Sequence, residues 1–185
     1  LGYGLDYAHQ RQVGRANEDP RVALAAPSSD HDYVVKGKAL SPWRFQLDSS
    51  IVERSVDLGA QEDARQFSWT DAGALAIQGP SINLMRQLDE GFVLSLEWRI
   101  DALSARPVQI ALGGGVLSAA SLLRDSPVGR ISRIQIPLRC FRDVGADLKS
   151  VDSPIQISGG KGLTLTLRDA RIEPVGNAIA CPASN

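Results

Sequence analysis

Asp147 and Asp152, close together in one turn-rich segment, are the nearest this chain comes to a pair of catalytic carboxylates. Glycoside hydrolysis uses two carboxyl groups roughly 5 to 9 Å apart across a sugar. Here the aspartates stand beside Gly145 and Pro154, where an aspartate ordinarily hydrogen-bonds its own backbone, so they read as turn residues. Gly113-Gly114-Gly115 follows the apolar run Val108 to Leu112. No Gly-Lys-Ser/Thr and no helix pattern follow it, so a phosphate cradle lacks its lysine and its helix N-terminus, and a tight turn remains. His9 and His31 stand apart, whereas a metal or general-base role needs converging groups. Cys140 and Cys181 lack the spacing of a zinc or redox motif. They are either two buried thiols or one disulfide tying the C-terminal tail to the body. No catalytic residue, metal ligand or cofactor is assigned from these groups.

The run Gln61-Glu62-Asp63-Ala64-Arg65-Gln66 lies between a strand ending near Leu58 and one beginning near Phe67, which predicts an exposed loop. Amide, carboxylate and guanidinium groups satisfy sugar hydroxyls as donors and acceptors. Gln61, Glu62, Asp63, Arg65 and Gln66 are therefore the candidate substrate-binding residues, set against the simpler reading of a solvated hairpin loop. A platform of exposed aromatic rings, against which a pyranose face stacks, is poorly supported. Aromatic residues make up 5% of the chain. Phe92 and Trp98 fall on a core face, and Trp43, after Pro42, and Trp69, two after Phe67, read as packing residues.

The elements behind these residues are strands. In the segment from Phe92 to Ile100, Phe92, Leu94, Leu96, Trp98 and Ile100 fall on one face and Ser95, Glu97 and Arg99 on the other. Ile134, Ile136, Leu138 and Cys140 alternate with Arg133, Gln135 and Arg139. Val52, Val56 and Leu58 alternate with Glu53, Ser55 and Asp57, and Leu163, Leu165 and Leu167 with Thr164, Thr166 and Arg168. Half-buried strands of this kind, separated by Gly, Pro, Asp and Ser clusters, predict an all-β fold of two packed antiparallel sheets, a jelly-roll sandwich with no long helix. Asp169 sits where the last alternation breaks before Ile172, the mark of a bulge or turn.

The chain changes character near residue 32. From His9 to Asp30 it shows no sustained period and reads as a connector. The expected organisation is residues 1–31 as the end of a preceding domain plus linker, 32–175 as the sandwich and 176–185 as a tail. At 185 residues there is room for one domain with a real core, about 70% of whose unfolded surface can be buried. The formal net charge of −1, with Lys and Arg scattered, gives no basic stripe for nucleic acid. No apolar run approaches the ~18 residues that span a bilayer.

The segment Pro137-Leu-Arg-Cys-Phe-Arg-Asp-Val-Gly-Ala-Asp-Leu-Lys-Ser-Val-Asp-Ser-Pro154 closely resembles the C-terminal β-sandwich of bacterial family-3 glycoside hydrolases of the exo-1,4-β-glucosidase type. Leu1-Gly2-Tyr3-Gly4-Leu5-Asp6-Tyr7 resembles the closure of the α/β domain that precedes that sandwich, with Leu1 where the family usually has Phe and Asp6 where it usually has Ser. More loosely, Pro42-Trp43, the run Gln61 to Arg65 with Trp69, and Leu163 to Ile172 follow the same pattern. The resemblance implies a galactose-binding-domain-like, carbohydrate-binding-module-like fold without catalytic residues. The aspartate nucleophile and the acid/base carboxylate would then lie in other domains of the parent chain, which would be periplasmic or secreted and release glucose from β-glucan or cello-oligosaccharides. An oxidising compartment favours the disulfide. Related modules often hold a structural calcium near their terminal strands, which gives Asp169 a second reading. Calcium takes six to eight oxygens, however, and Asp169 is the one that can be named. The expected role is to position glucan at the parent's cleft. Its rivals are an independent carbohydrate-binding module that anchors the enzyme on polysaccharide, and a structural clamp.

Overall fold

The structure, a computed structural model, describes residues 31–184. The Leu1 to Tyr7 segment, the connector to Asp30 and His9 lie outside the described residues.

Two antiparallel sheets pack face to face. The first runs β10 (Ile131–Pro137), β7 (Val93–Ala102), β12 (Thr164–Glu173), β1 (Asp32–Val35) and β2 (Lys38–Ala39), with β5 (Ala64–Trp69) also pairing β12 and β4 (Ile51–Val56) pairing β5. The second runs β3 (Arg44–Leu47), β6 (Gly73–Gln78), β11 (Ile155–Gly159), β8 (Gln109–Leu112) and β9 (Gly115–Ser118). From β5 onward the chain passes repeatedly between the sheets, as a jelly roll requires. Short helices α1 (Met85–Asp89), α2 (Ala120–Arg124) and α3 (Leu138–Asp143) fill connections.

The period-two pattern explains the core. Leu94, Leu96, Trp98 and Ile100 of β7 are all fully buried and meet Phe67, Trp69, Leu165 and Leu167 from the same sheet and Leu75, Ile77, Ile110, Leu112 and Ile157 from the other. The Trp98 indole N–H, which burial would leave without water, donates to Ser126 Oγ at 3.0 Å. Trp43 and Trp69 are buried as well, Trp43 edge-on to Tyr33 with ring centres 4.8 Å apart. No aromatic residue is among the exposed large hydrophobics of the described residues.

Three expectations need correction. The alternation that begins at Ile134 does not run on to Cys140. Pro137, which has no N–H to give to a ladder, ends this edge strand. The chain then turns helical and buries Leu138, Cys140 and Phe141 together. In β4 the phase is the reverse of that expected: Ile51, opposite Trp69, is buried, while Val52, opposite Ser68, is 59% exposed. Finally, the outer face of β7 and β12 is not fully wet, since Ser95 and Thr166 are buried.

Asp169 stands at a register irregularity between Leu167 and Asp169. That bulge resets the phase, so that Leu165 and Leu167 before it and Ala170 and Ile172 after it all point inward. Gly113 and Gly114, with φ of +60° and +86°, make the two-residue hairpin turn joining β8 to β9.

Candidate functional site

The expected glutamine-rich loop divides in two. Residues 57–63 form the connection between β4 and β5, whereas Arg65 and Gln66 lie inside β5. The expectation of a loop reaching to Phe67 is thus corrected: β5 pairs with both β4 and β12 from Ala64 or Arg65 onward, and the ladder absorbs these residues.

Asp63 organises the loop. Its carboxylate accepts the backbone N–H of Leu58 at 2.6 Å and those of Gly59 and Ala60 at 2.9 Å each. These bonds, led by that from Leu58, hold the carboxyl at about 2, below its ordinary 3.8. Gln61 and Glu62 are left exposed at the tip, Glu62 in the left-handed region with φ of +50° and its N–H bonded to Asp57 Oδ1 at 2.6 Å. The folded-state pKa being the lower one, the contribution of Asp63 to stability is complete above about pH 4 and disappears as pH falls towards 2. Melting temperatures of the protein and of Asp63→Asn are therefore expected to differ at pH 5 and to converge by pH 2. A gap that stays constant over that range would show that the ionised carboxylate is not what clamps the loop.

Arg65 serves the edge of the sandwich. Its guanidinium lies 5.6 Å over the Phe45 ring, pairs with Glu53 at 3.1 Å and donates to Gly37 O at 3.0 Å. Gly37, with φ of +75°, turns β1 into β2 so close to β5 that an added Cβ would come within 2.5 Å of the Ala64 backbone. Gln66 faces outward into a polar row across four strands. Arg54 Nε donates to its Oε1 at 2.7 Å, and its Nε2 donates to Asp101 Oδ2 at 3.0 Å. Asp101 also accepts from Arg99 Nε at 2.5 Å and from the Thr166 hydroxyl at 2.6 Å. In the next row Glu97 pairs with Arg168 and Arg133, and Arg168 reaches Asp63 at 4.0 Å. This face is covered by charges that satisfy one another.

The outer face of the five-stranded sheet differs. A trough of about 580 Å3, lined by Gln109, Ala111, Gln156, Ser158, Ser150 and Asp152 among others, meets a second of about 300 Å3 at Gln109 and Ser158. Asp152 thus lines a cavity, while Asp147 makes the expected local turn, its Oδ1 accepting the Lys149 N–H at 3.0 Å. At the margin of the other sheet, Cys140 and Cys181 are joined in a disulfide. Arg139 Nη2 donates to Ile179 O at 2.6 Å and the Ala183 N–H to Ser121 Oγ at 3.2 Å, fastening the same tail. Asp169 accepts the Lys36 N–H at 3.1 Å and lies 3.9 Å from Arg171. Among the described residues, no three His, Cys, Asp or Glu side chains converge as metal ligands would.

The polar row and the trough escaped the sequence reading. Their residues share no motif, and they converge only through strand order: Arg99, Thr166, Gln66 and Arg54 are cross-strand neighbours, as are Ala76, Gln156 and Ala111. The signal available was that both sets occupy outward-facing strand positions.

The molecule is a two-sheet sandwich with one face of mutually bonded charges and a polar trough on the other. Residues 36–172 match the Exop_C family, described as galactose-binding domain-like, and the chain belongs to that family. No curated protein matches the chain. Among solved structures, the chain is similar to the extra C-terminal domain of the exo-1,3/1,4-β-glucanase ExoP from a Pseudoalteromonas species. The TM-score is 0.63 at 19% identity, over 81% of this chain and 96% of that one. Against the ExoP enzyme the TM-score is 0.67 at 20% identity, over 84% of this chain and 22% of the enzyme. The chain is also similar to the family 11 carbohydrate-binding module of Clostridium thermocellum, in complex with a β-1,3-1,4-mixed-linked tetrasaccharide. There the TM-score is 0.55 at 11% identity, over 80% of this chain and 98% of that one. These likenesses are of fold.

Proposed function

We propose that this chain is the non-catalytic C-terminal domain of a secreted or periplasmic family-3 glycoside hydrolase of the exo-1,4-β-glucosidase type, and that it helps to position β-glucan or cello-oligosaccharide at the catalytic cleft. The observation that carries the reading is the family match over residues 36–172. Similar folds described as part of an exo-β-glucanase and as a glucan-bound module support it. The Cys140–Cys181 bond supports an oxidising compartment. The lack of an exposed aromatic platform among the described residues favours positioning over adhesion to insoluble polysaccharide.

Gln61 and Glu62 are the groups free to reach a substrate, because Asp63, Arg65 and Gln66 are engaged within the domain. In the full-length parent enzyme, Gln61→Ala is expected to lower kcat/KM on longer cello-oligosaccharides by about 2- to 12-fold, the equivalent of one neutral hydrogen bond, and to leave cellobiose less affected. Steady-state kinetics across chain lengths measures this. Unchanged kinetics on every length, with folding intact, would leave the domain a structural clamp.

A further inference from the structure

We infer that the outer face of the five-stranded sheet is a second carbohydrate site, a trough that takes a single unbranched chain of neutral sugar and lies apart from the Gln61 loop. The inference rests on the proposed function for the class of polymer, and on the trough for its place.

The two sheet faces make the case by contrast. On the seven-stranded sheet, Arg54, Gln66, Arg99, Asp101 and Thr166 bond one another, leaving few groups to offer a ligand. In the trough, the side chains of Gln109, Gln156 and Ser158 make no hydrogen bond to any other described residue. The strand register sets Ala111 beside Gln156 and Ala74 beside Ser158. Small residues keep the floor low, and amides rise around it. Each amide offers both donors and acceptors, the combination a row of hydroxyls needs. The middle of the trough is uncharged, which suits a neutral polymer, and charge stands at its ends: Asp152 at one, Asp48 and Arg106 at the other.

The dimensions agree. The larger cavity, about 580 Å3, has the size of a ligand cleft. Along β8, from Gly113 at the Asp152 end to Arg106 at the other, the trough runs roughly 20 Å at the rise of an extended chain, enough for a short oligosaccharide. A trough of this shape admits one chain and excludes a flat crystalline surface, so soluble oligosaccharide is its ligand and insoluble cellulose is not.

The test uses the 185-residue chain with cellohexaose as probe, read by backbone amide chemical-shift mapping and by titration. Saturable shifts are expected at Ala111, Gln156 and Ser158. Gln109→Ala and Gln156→Ala should each weaken binding by about 2- to 12-fold. Binding that maps to the Gln61 loop and ignores the glutamine variants would overturn the trough and leave the positioning role standing. No saturable shift at millimolar cellohexaose would also overturn it. The parent enzyme's kinetics with Gln61→Ala would still decide the positioning role on its own.

Discussion

Replacing Cys140 and Cys181 together by alanine is expected to lower the unfolding free energy by about 4 kcal/mol. The bond closes a span of 41 residues containing β11 and β12, strands from the interiors of both sheets. In the chain-entropy account, a loop of that length removes about 4 kcal/mol of freedom from the unfolded chain. Two hydrogen bonds, Arg139 to Ile179 O and the Ala183 N–H to Ser121 Oγ, fasten the same tail. Urea unfolding of the double variant, with its midpoint shifted, measures the effect. A loss below about 1 kcal/mol would mean that the span is already restricted in the unfolded chain.

The other large effect is expected at Asp101. Asp101→Ala removes one carboxylate but strands three donors: the Arg99 guanidinium, the Gln66 amide and the Thr166 hydroxyl. Thr166 is fully buried and Gln66 nearly so, leaving little room for water to replace the acceptor. Bonds to a charged group contribute roughly 1.5 to 3 kcal/mol, and orphaned donors add their desolvation, so a loss of about 3 kcal/mol is expected. Asp101→Asn keeps the shape and one acceptor oxygen and should lose less. Equal losses for the two variants would assign the whole effect to the ionised carboxylate, and a loss below about 1 kcal/mol for Asp101→Ala would show that the three donors find other partners.

The core was legible wherever one parity held all the apolar residues. From Leu94 to Ile100 and from Leu163 to Leu167 the apolar residues admit one reading and all of them are buried, while Ser95 and Thr166 on the opposite parity are buried as well because charged neighbours cover that face. It failed in β4, where Ile51 and Val52 put an apolar residue on each parity and only the pairing with Trp69 chooses between them. It failed again at Leu138, where alternation and a single helical turn bury overlapping residues and Pro137 decides the outcome. At the candidate site, the strand boundary hid the roles of Arg65 and Gln66, since a polar residue reads alike in a loop and on the outer face of a sheet. The trough was the least legible feature. Alanine, serine and glutamine have no motif, and what joins Ala74, Ala76, Ala111, Gln156 and Ser158 is the order of β6, β11 and β8, which no single segment encodes.

The reversed phase of β4 bears on how the molecule behaves in a crowd of its own copies. Among the described residues β4 is bonded on one side only, so its other side presents backbone groups along a strand beginning Ile51-Val52. Glu53 and Arg54 stand at its middle, Glu53 drawn to Arg65 and Arg54 to Gln66. A neighbouring chain adding itself here would have to lay its own strand along these charges and disturb both attachments. Sheet margins guarded in this way resist edge-to-edge growth. The exposed valine therefore sits on a border whose charges disfavour the addition of a further strand.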